Sequence, residues 1–259
     1  MRFGVCAGIE KAPLVAGAGY DYIELSVAGD LVPEESEAAW TEKRRAIEAM
    51  PLPVEAFNSF VRKGKITGPE ADFARLKRYV DVATERAAQV GGKILVFGSG
   101  GARNVPEGFP REQAEQQIVS FLNLCADASE RTGVVVVIEP LNRTESNILN
   151  TVAEGAEYVR KVARPGVRNL ADTYHMEHDG EPLQAITKFA EVLAHTHTAD
   201  TDRRAPGTGI YDHVALFRAL RDARYDARLS IECGWEDFAA QVGPALEHLK
   251  KAHAEANRA

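Results

Sequence analysis

The chain has little that would staple it covalently or carry it across a membrane. Its three cysteines, Cys6, Cys125 and Cys233, are an odd number without Cys-x-x-Cys spacing. That pattern argues against a disulfide framework or a thiolate zinc site and reads each as a small buried hydrophobe. No apolar run approaches the roughly 20 residues that span a bilayer, and the opening Met1-Arg2-Phe3-Gly4-Val5 lacks a signal-peptide pattern. The expectation is a soluble, cytoplasmic protein with no membrane partner. Basic residues are in deficit as well, with a formal charge of -7, so nucleic acid is not expected as the main partner, since a phosphate backbone calls for clustered Lys and Arg. The nucleotide fingerprints are missing. Gly98-Ser-Gly-Gly-Ala-Arg103 puts Arg103 where a third glycine should stand, and there is no Walker lysine motif.

What is present is a regular alternation. Strands are expected near Arg2 to Cys6, Tyr22 to Leu25, Val54 to Phe57, Lys93 to Phe97, Val134 to Glu139, Arg168 to Asp172, Ala194 to Thr198 and Leu229 to Cys233. Helical periodicity fills Glu34 to Met50, Ala71 to Gln89, Glu112 to Arg131, Val152 to Val162, Pro182 to Leu193, His213 to Arg221 and Trp235 to Ala256. The run Val134-Val-Val-Val-Ile138 is too short and too β-branched for a helix and suits a strand buried on both faces. Eight such units in 259 residues, 45% of them hydrophobic, predict an α/β fold in which residues 1-259 form a single (β/α)8 TIM-barrel domain.

Four of these strands end in a metal-ligand type. Glu139 closes Val-Val-Val-Val-Ile-Glu, Asp172 closes Arg-Asn-Leu-Ala-Asp, His197 sits in Ala-His-Thr-His-Thr, and Glu232 closes Leu-Ser-Ile-Glu. In such a barrel the carboxyl ends of the strands face the active site. A carboxylate there is expensive to desolvate unless it is paired, protonated or bound to a cation, and three at one mouth call for a cation. Three carboxylates and an imidazole suit one divalent ion, Mn²⁺ first and Co²⁺ or Mg²⁺ next, better than a structural zinc. Four protein ligands leave room in an octahedral shell for two oxygens of an α-hydroxyketone.

The segments Ile138-Glu-Pro-Leu-Asn-Arg-Thr-Glu-Ser-Asn-Ile-Leu-Asn-Thr151, Ala171-Asp-Thr-Tyr-His-Met176 and His195-Thr-His-Thr-Ala-Asp-Thr-Asp-Arg203, with Pro206-Gly-Thr-Gly209, resemble the sugar isomerase and epimerase superfamily. Within it the likeness is to the ketose 3-epimerase family, typified by the D-tagatose and D-psicose (allulose) enzymes. It is dense from about Val134 to Glu232 and thins before that. The resemblance implies that Glu139, Asp172, His197 and Glu232 bind the metal and that Glu139 and Glu232 also form the catalytic acid/base pair. It implies substrate contacts from Glu145, His175 and Arg203, a sugar substrate, and assembly as a homodimer or homotetramer. The sequence departs from those epimerases in the Gly98-to-Gly108 loop and at Cys233-Gly-Trp235, which shape the pocket around the rest of the sugar.

The expected chemistry is C3 epimerisation of a ketose through a cis-enediolate, with two glutamates exchanging a proton across the sugar. Rival readings are an aldose-ketose isomerase related to hydroxypyruvate isomerase, and a metal-dependent lyase or dehydratase on a keto-cyclitol or 3-keto glycoside. An apurinic endonuclease needs extra histidines at earlier strand ends, and no histidine precedes His175. A sugar-binding barrel without turnover is countered by the complete acid/base set. Of His195 and His197, one is expected to face the centre, and the spacing to Arg203 selects His197. Glu24 is read as a substrate contact or a partner of a neighbouring Lys, and Arg103 as a cap of its own loop or a phosphate or carboxylate ligand. Phe57, Phe60 and Trp235 are read as an apolar wall or ordinary core.

Overall fold

The computed structural model describes residues 1–258. The expected strands form as β1 (Arg2–Cys6), β2 (Tyr22–Ser26), β3 (Val54–Asn58), β4 (Ile94–Phe97), β5 (Val135–Ile138), β6 (Val167–Asp172), β7 (Leu193–Thr198) and β8 (Arg228–Ile231). Each pairs in parallel with the next, and β8 pairs with β1 to close the barrel. β5 stops at Ile138 because Pro140 has no N–H to continue the ladder. Glu139 and Glu232 therefore stand one residue beyond their strands. They are still pinned to the sheet, since Glu139 N–H donates to the Phe97 carbonyl at 3.1 Å and Glu232 N–H to that of Thr198 at 3.0 Å.

Around the barrel run α1 (Ala12–Ala18), α2 (Glu37–Glu48), α3 (Phe73–Gln89), the single turn α4 (Gly100–Arg103), α5 (Arg111–Thr132), α6 (Val152–Val162), α7 (Thr173–Asp179), α8 (Gln184–Lys188), α9 (His213–Asp222) and α10 (Phe238–Ala256). Side-chain caps set many of their starts. Ser36, Asp72, Thr151, Asp172, Asp212 and Asp237 each accept a hydrogen bond from a backbone N–H in the first turn, a contact worth about 1 kcal/mol apiece. The helix expected over Pro182 to Leu193 breaks at Phe189 into α8 and a tight turn, Ala190–Val192. The helices α1, α4 and α7 are not among those expected from the sequence. They are short, and α7, Thr-Tyr-His-Met-Glu-His-Asp, carries polar site residues in place of an apolar stripe.

Apolar side chains fill the space between barrel and helices, and a smaller group, Tyr22, Ala56, Ile94, Val96, Val137 and Leu170, fills the barrel's interior. Gly4 makes that filling possible, because a Cβ there would lie 2.2 Å from the Tyr22 ring. Towards the carboxyl ends of the strands the interior turns polar, with Glu24, His195, His197 and Ser230 all buried. Among the described residues no helix is long and apolar enough to cross a membrane.

Candidate metal centre and active site

Glu139, Asp172, His197 and Glu232 converge at the carboxyl end of the barrel, each offering one ligand atom within 4.8 Å of the others. The His197 ring is the hub. Its Nδ1 lies 3.0 Å from Glu139 Oε1, 3.5 Å from Glu232 Oε2 and 3.9 Å from Asp172 Oδ2. Asp172 splits its two oxygens between tasks: Oδ1 accepts from Tyr174 N–H and caps α7, while Oδ2 is buried without any hydrogen-bond partner. An orphaned carboxylate oxygen aimed at two more carboxylates and an imidazole nitrogen is a donor set that fits a divalent cation. Gly98 belongs to this fit, because a Cβ on it would stand 2.2 Å from Glu139 Oε2.

The cluster opens into a cavity of about 400 Å³ whose lining includes Glu139, Glu145, His175, Arg203 and Glu232 from the second half of the chain. Asn58, Ser59, Arg62 and the Gly98-to-Ala102 loop line it from the first half. Arg203 donates to Glu232 Oε2 at 3.0 Å and to Glu145 Oε1 at 3.4 Å, and lies 4.7 Å above the Tyr174 ring. Its backbone and that of Asp202 sit at φ +58 and +59, a strained conformation of the kind that gathers at working sites. Gly234 N–H holds the Arg203 carbonyl at 2.7 Å, tying this loop to the one after β8.

Asn142 is a site residue that the sequence reading passed over, although it lies inside the quoted motif. Its Oδ1 accepts from the N–H groups of Thr144 and Glu145, and its Nδ2 donates to Glu145 Oε1 at 3.1 Å. Its own N–H donates to His175 Nδ1 at 3.2 Å. Because Nδ1 accepts, the His175 proton sits on Nε2, which faces Asp172 Oδ2 at 3.8 Å. Asn142 thus aims both His175 and Glu145. Its sequence signal is an Asx turn, Asn followed by Thr and Glu two and three residues on.

The two glutamates differ electrostatically. Burial raises the Glu139 carboxyl above its ordinary value, with the charges of Glu232 and Asp172 acting the same way against the His197 hydrogen bond. Burial acts on Glu232 too, but the hydrogen bond and charge of His197 and the charge of Arg203 outweigh it and leave this carboxyl below its ordinary value. Burial opposes charging of His197, yet Glu24 and the surrounding acids hold it well above the usual imidazole range. A pair of carboxyls pushed apart in this way is suited to one acid and one base.

Several sequence expectations change. Both His195 and His197 face the interior, because residues two apart on a strand share a face. Glu24 touches neither the cavity nor a lysine; it lies fully buried beneath His197. Arg103 cannot reach a phosphate, since its buried guanidinium donates to the carbonyls of Phe97, Glu139 and Leu149 at 3.0, 2.8 and 3.1 Å. It locks the β4 and β5 ends to the following loop. Phe57 and Phe60 are core, and Trp235 packs edge-on against Phe238. Of the cysteines, Cys125 is buried, whereas Cys6 and Cys233 are part-exposed near the mouth.

The chain is similar to known proteins. The chain is 30% identical over 239 residues, 86% of each chain, to the 3-dehydro-D-guloside 4-epimerase of Escherichia coli (strain K12). It is 36% identical over 115 residues to the D-psicose 3-epimerase of Agrobacterium fabrum, a match covering 44% of this chain and 40% of that one. The crystal structure of 3-keto-D-glucoside 4-epimerase from E. coli, in its apo form, superposes with a TM-score of 0.84 at 26% identity, over 97% of this chain and 99% of that one. A family described as Xylose isomerase-like TIM barrel matches residues 13–252, and with nearly its whole length accounted for by that family and a closed eight-stranded barrel to match, the chain belongs to it.

Proposed function

We propose that this chain, as one domain, is a divalent-metal-dependent sugar epimerase that inverts a carbon beside a ketone, with C3 of a ketose as the first reading. The observation that carries it is the placing of two carboxyls, Glu139 and Glu232, against the same imidazole nitrogen at the wall of one cavity.

Glu139, Asp172, His197 and Glu232 are the residues that would hold the ion, Mn²⁺ first and Co²⁺ or Mg²⁺ as alternatives. When bound, the ion supplies Lewis acidity to adjacent carbonyl and hydroxyl oxygens of the sugar. The chain's own groups move the proton. One of Glu139 and Glu232 takes it from the carbon while the other returns one to the opposite face, and the reverse reaction exchanges the roles. His175 Nε2–H and the Arg203 guanidinium donate to the oxygen that gains negative charge. Glu145 orients Arg203 from one side while Asn142 steadies Glu145 from the other. On the family likeness, the assembly is a homodimer or homotetramer.

A second reading, C4 epimerisation of a 3-keto glycoside, is favoured by the extent of the matches: 86% of this chain for the E. coli 4-epimerase against 44% for the D-psicose enzyme. The proton exchange is the same, shifted by one carbon. The test is a panel of ketoses and a 3-keto glycoside in deuterated water, read by NMR. Deuterium at C3 of a ketose without aldose supports the first reading, and deuterium at C4 of the glycoside alone supports the second. Label at C1 or C2 with aldose product makes the chain an isomerase, and loss of water or aglycone makes it a lyase; either outcome overturns both epimerase readings.

A further inference from the structure

Directly beneath the four-donor cluster lies a buried group that the proposed reaction does not use. Glu24, on β2, places Oε1 3.0 Å from His197 Nε2 and Oε2 2.9 Å from His195 Nε2 and 2.6 Å from Ser230 Oγ. Tyr22 Oη in turn lies 2.8 Å from Ser230 Oγ. Glu24, His195, His197 and Ser230 are all at 0% exposure. A carboxylate so deep in a barrel is costly unless each oxygen is held, and here both are.

The consequence falls on His197. Its two nitrogens face different carboxylates, with Nδ1 towards Glu139, Asp172 and Glu232 and Nε2 towards Glu24. An imidazole gives a metal one nitrogen, and the hydrogen bond made by the other decides which. We infer that Glu24 is a positioning residue: by accepting the Nε2 proton of His197 it commits the Nδ1 lone pair to the four-donor cluster and strengthens it as a ligand. His195 and Ser230 occupy Oε2, so Oε1 stays on His197. His195 Nδ1 has no partner, which is tolerable for a bare acceptor and costly for an N–H, so His195 also carries its proton on Nε2 towards Glu24. The fold also offers a rival arrangement. Cys6, Glu24 and His197 also come within 4.8 Å of one another, and an ion held there would take Nε2, leaving Nδ1 protonated.

The assignment rests on the metal-centre reading above, and two measurements separate the failure of one from that of the other. In Zn²⁺-loaded protein labelled with ¹⁵N-histidine, NMR is expected to show His197 with Nδ1 on the metal and Nε2 protonated; the reverse overturns the assignment. Mn²⁺ affinity, followed by the EPR signal of the free ion, is expected to weaken about 10–100-fold in Glu24→Gln, with thermal unfolding of the metal-free protein recorded alongside. A lower unfolding temperature with unchanged Mn²⁺ affinity makes Glu24 merely structural and overturns the proposal. If the unsubstituted protein binds no Mn²⁺, the metal-centre reading falls, and the role of Glu24 with it.

Discussion

The two halves of the barrel divide the labour unequally. The ends of β5 to β8 supply all four members of the donor cluster and, with their loops, His175, Arg203 and Glu145. The ends of β1 to β4 supply shape and support: Gly98 makes room for Glu139, Arg103 clamps its carbonyl, Glu24 holds the far side of His197, and Asn58, Ser59 and Arg62 line the outer cavity. The lesson is that a half without ligands still sets where the ligands point. It does so through contacts that leave no chemical signature in a motif.

Substitutions in the two halves are expected to carry graded costs. The largest effect belongs to the second half: Glu139→Gln and Glu232→Gln, made separately, are each expected to lower kcat by about 10²–10⁴-fold while sugar binding partly survives, as measured by steady-state kinetics beside a binding titration. Near-normal turnover in both would end the two-base account. Next comes Arg103→Ala in the first half, which strands the carbonyls of Phe97, Glu139 and Leu149 inside the protein. A loss of about 3 kcal/mol in urea unfolding is expected; a change under about 0.5 kcal/mol would show that the clamp contributes little to stability.

Gly98→Ala probes the same dependence at the level of catalysis. The added Cβ must displace the Glu139 carboxylate, and moving a reacting group by about 1 Å costs on the order of 100-fold in kcat/KM. The fold should stay intact by circular dichroism, and unaltered kinetics would place Glu139 elsewhere during turnover.

The smallest effect concerns acid. Every histidine lies at or beyond His175, so imidazole titration belongs to the second half alone. Burial, with the neighbouring His248, holds His213 down at about 4, below the ordinary 6.5. Between those values the unfolded chain takes up a proton that the folded one refuses. The part of the stability that comes from His213 is therefore whole above pH 6.5 and declines as pH falls towards 4, by about 1.4 kcal/mol per unit at most. Urea titrations at pH 7 and pH 5 should show a smaller decline in His213→Asn; equal declines would assign the acid sensitivity to other groups.

The sequence made the second half legible and the first half only in outline. Glu139, Asp172 and Glu232 stand out because a carboxylate closing a buried apolar strand needs a reason. Glu24 closes nothing, since Leu25 and Ser26 continue β2, and its partners lie 171 to 206 residues away across the barrel. Arg103 looks like a loop cation because its three acceptors are backbone carbonyls, which every residue has. Phe57 and Phe60 read equally as wall or core, and only closure of the barrel decides. The helix α7 stays hidden for the opposite reason: its positions are occupied by groups that serve the site.

One ion is proposed to sit among Glu139, Asp172, His197 and Glu232. The most direct measurement is an anomalous difference map from crystals of the protein equilibrated with Mn²⁺. A single peak per chain within coordination distance of all four residues, on the Nδ1 side of His197, is the predicted result. A peak between Cys6, Glu24 and His197 Nε2, or none at either place in crystals that hold Mn²⁺ elsewhere, would contradict it.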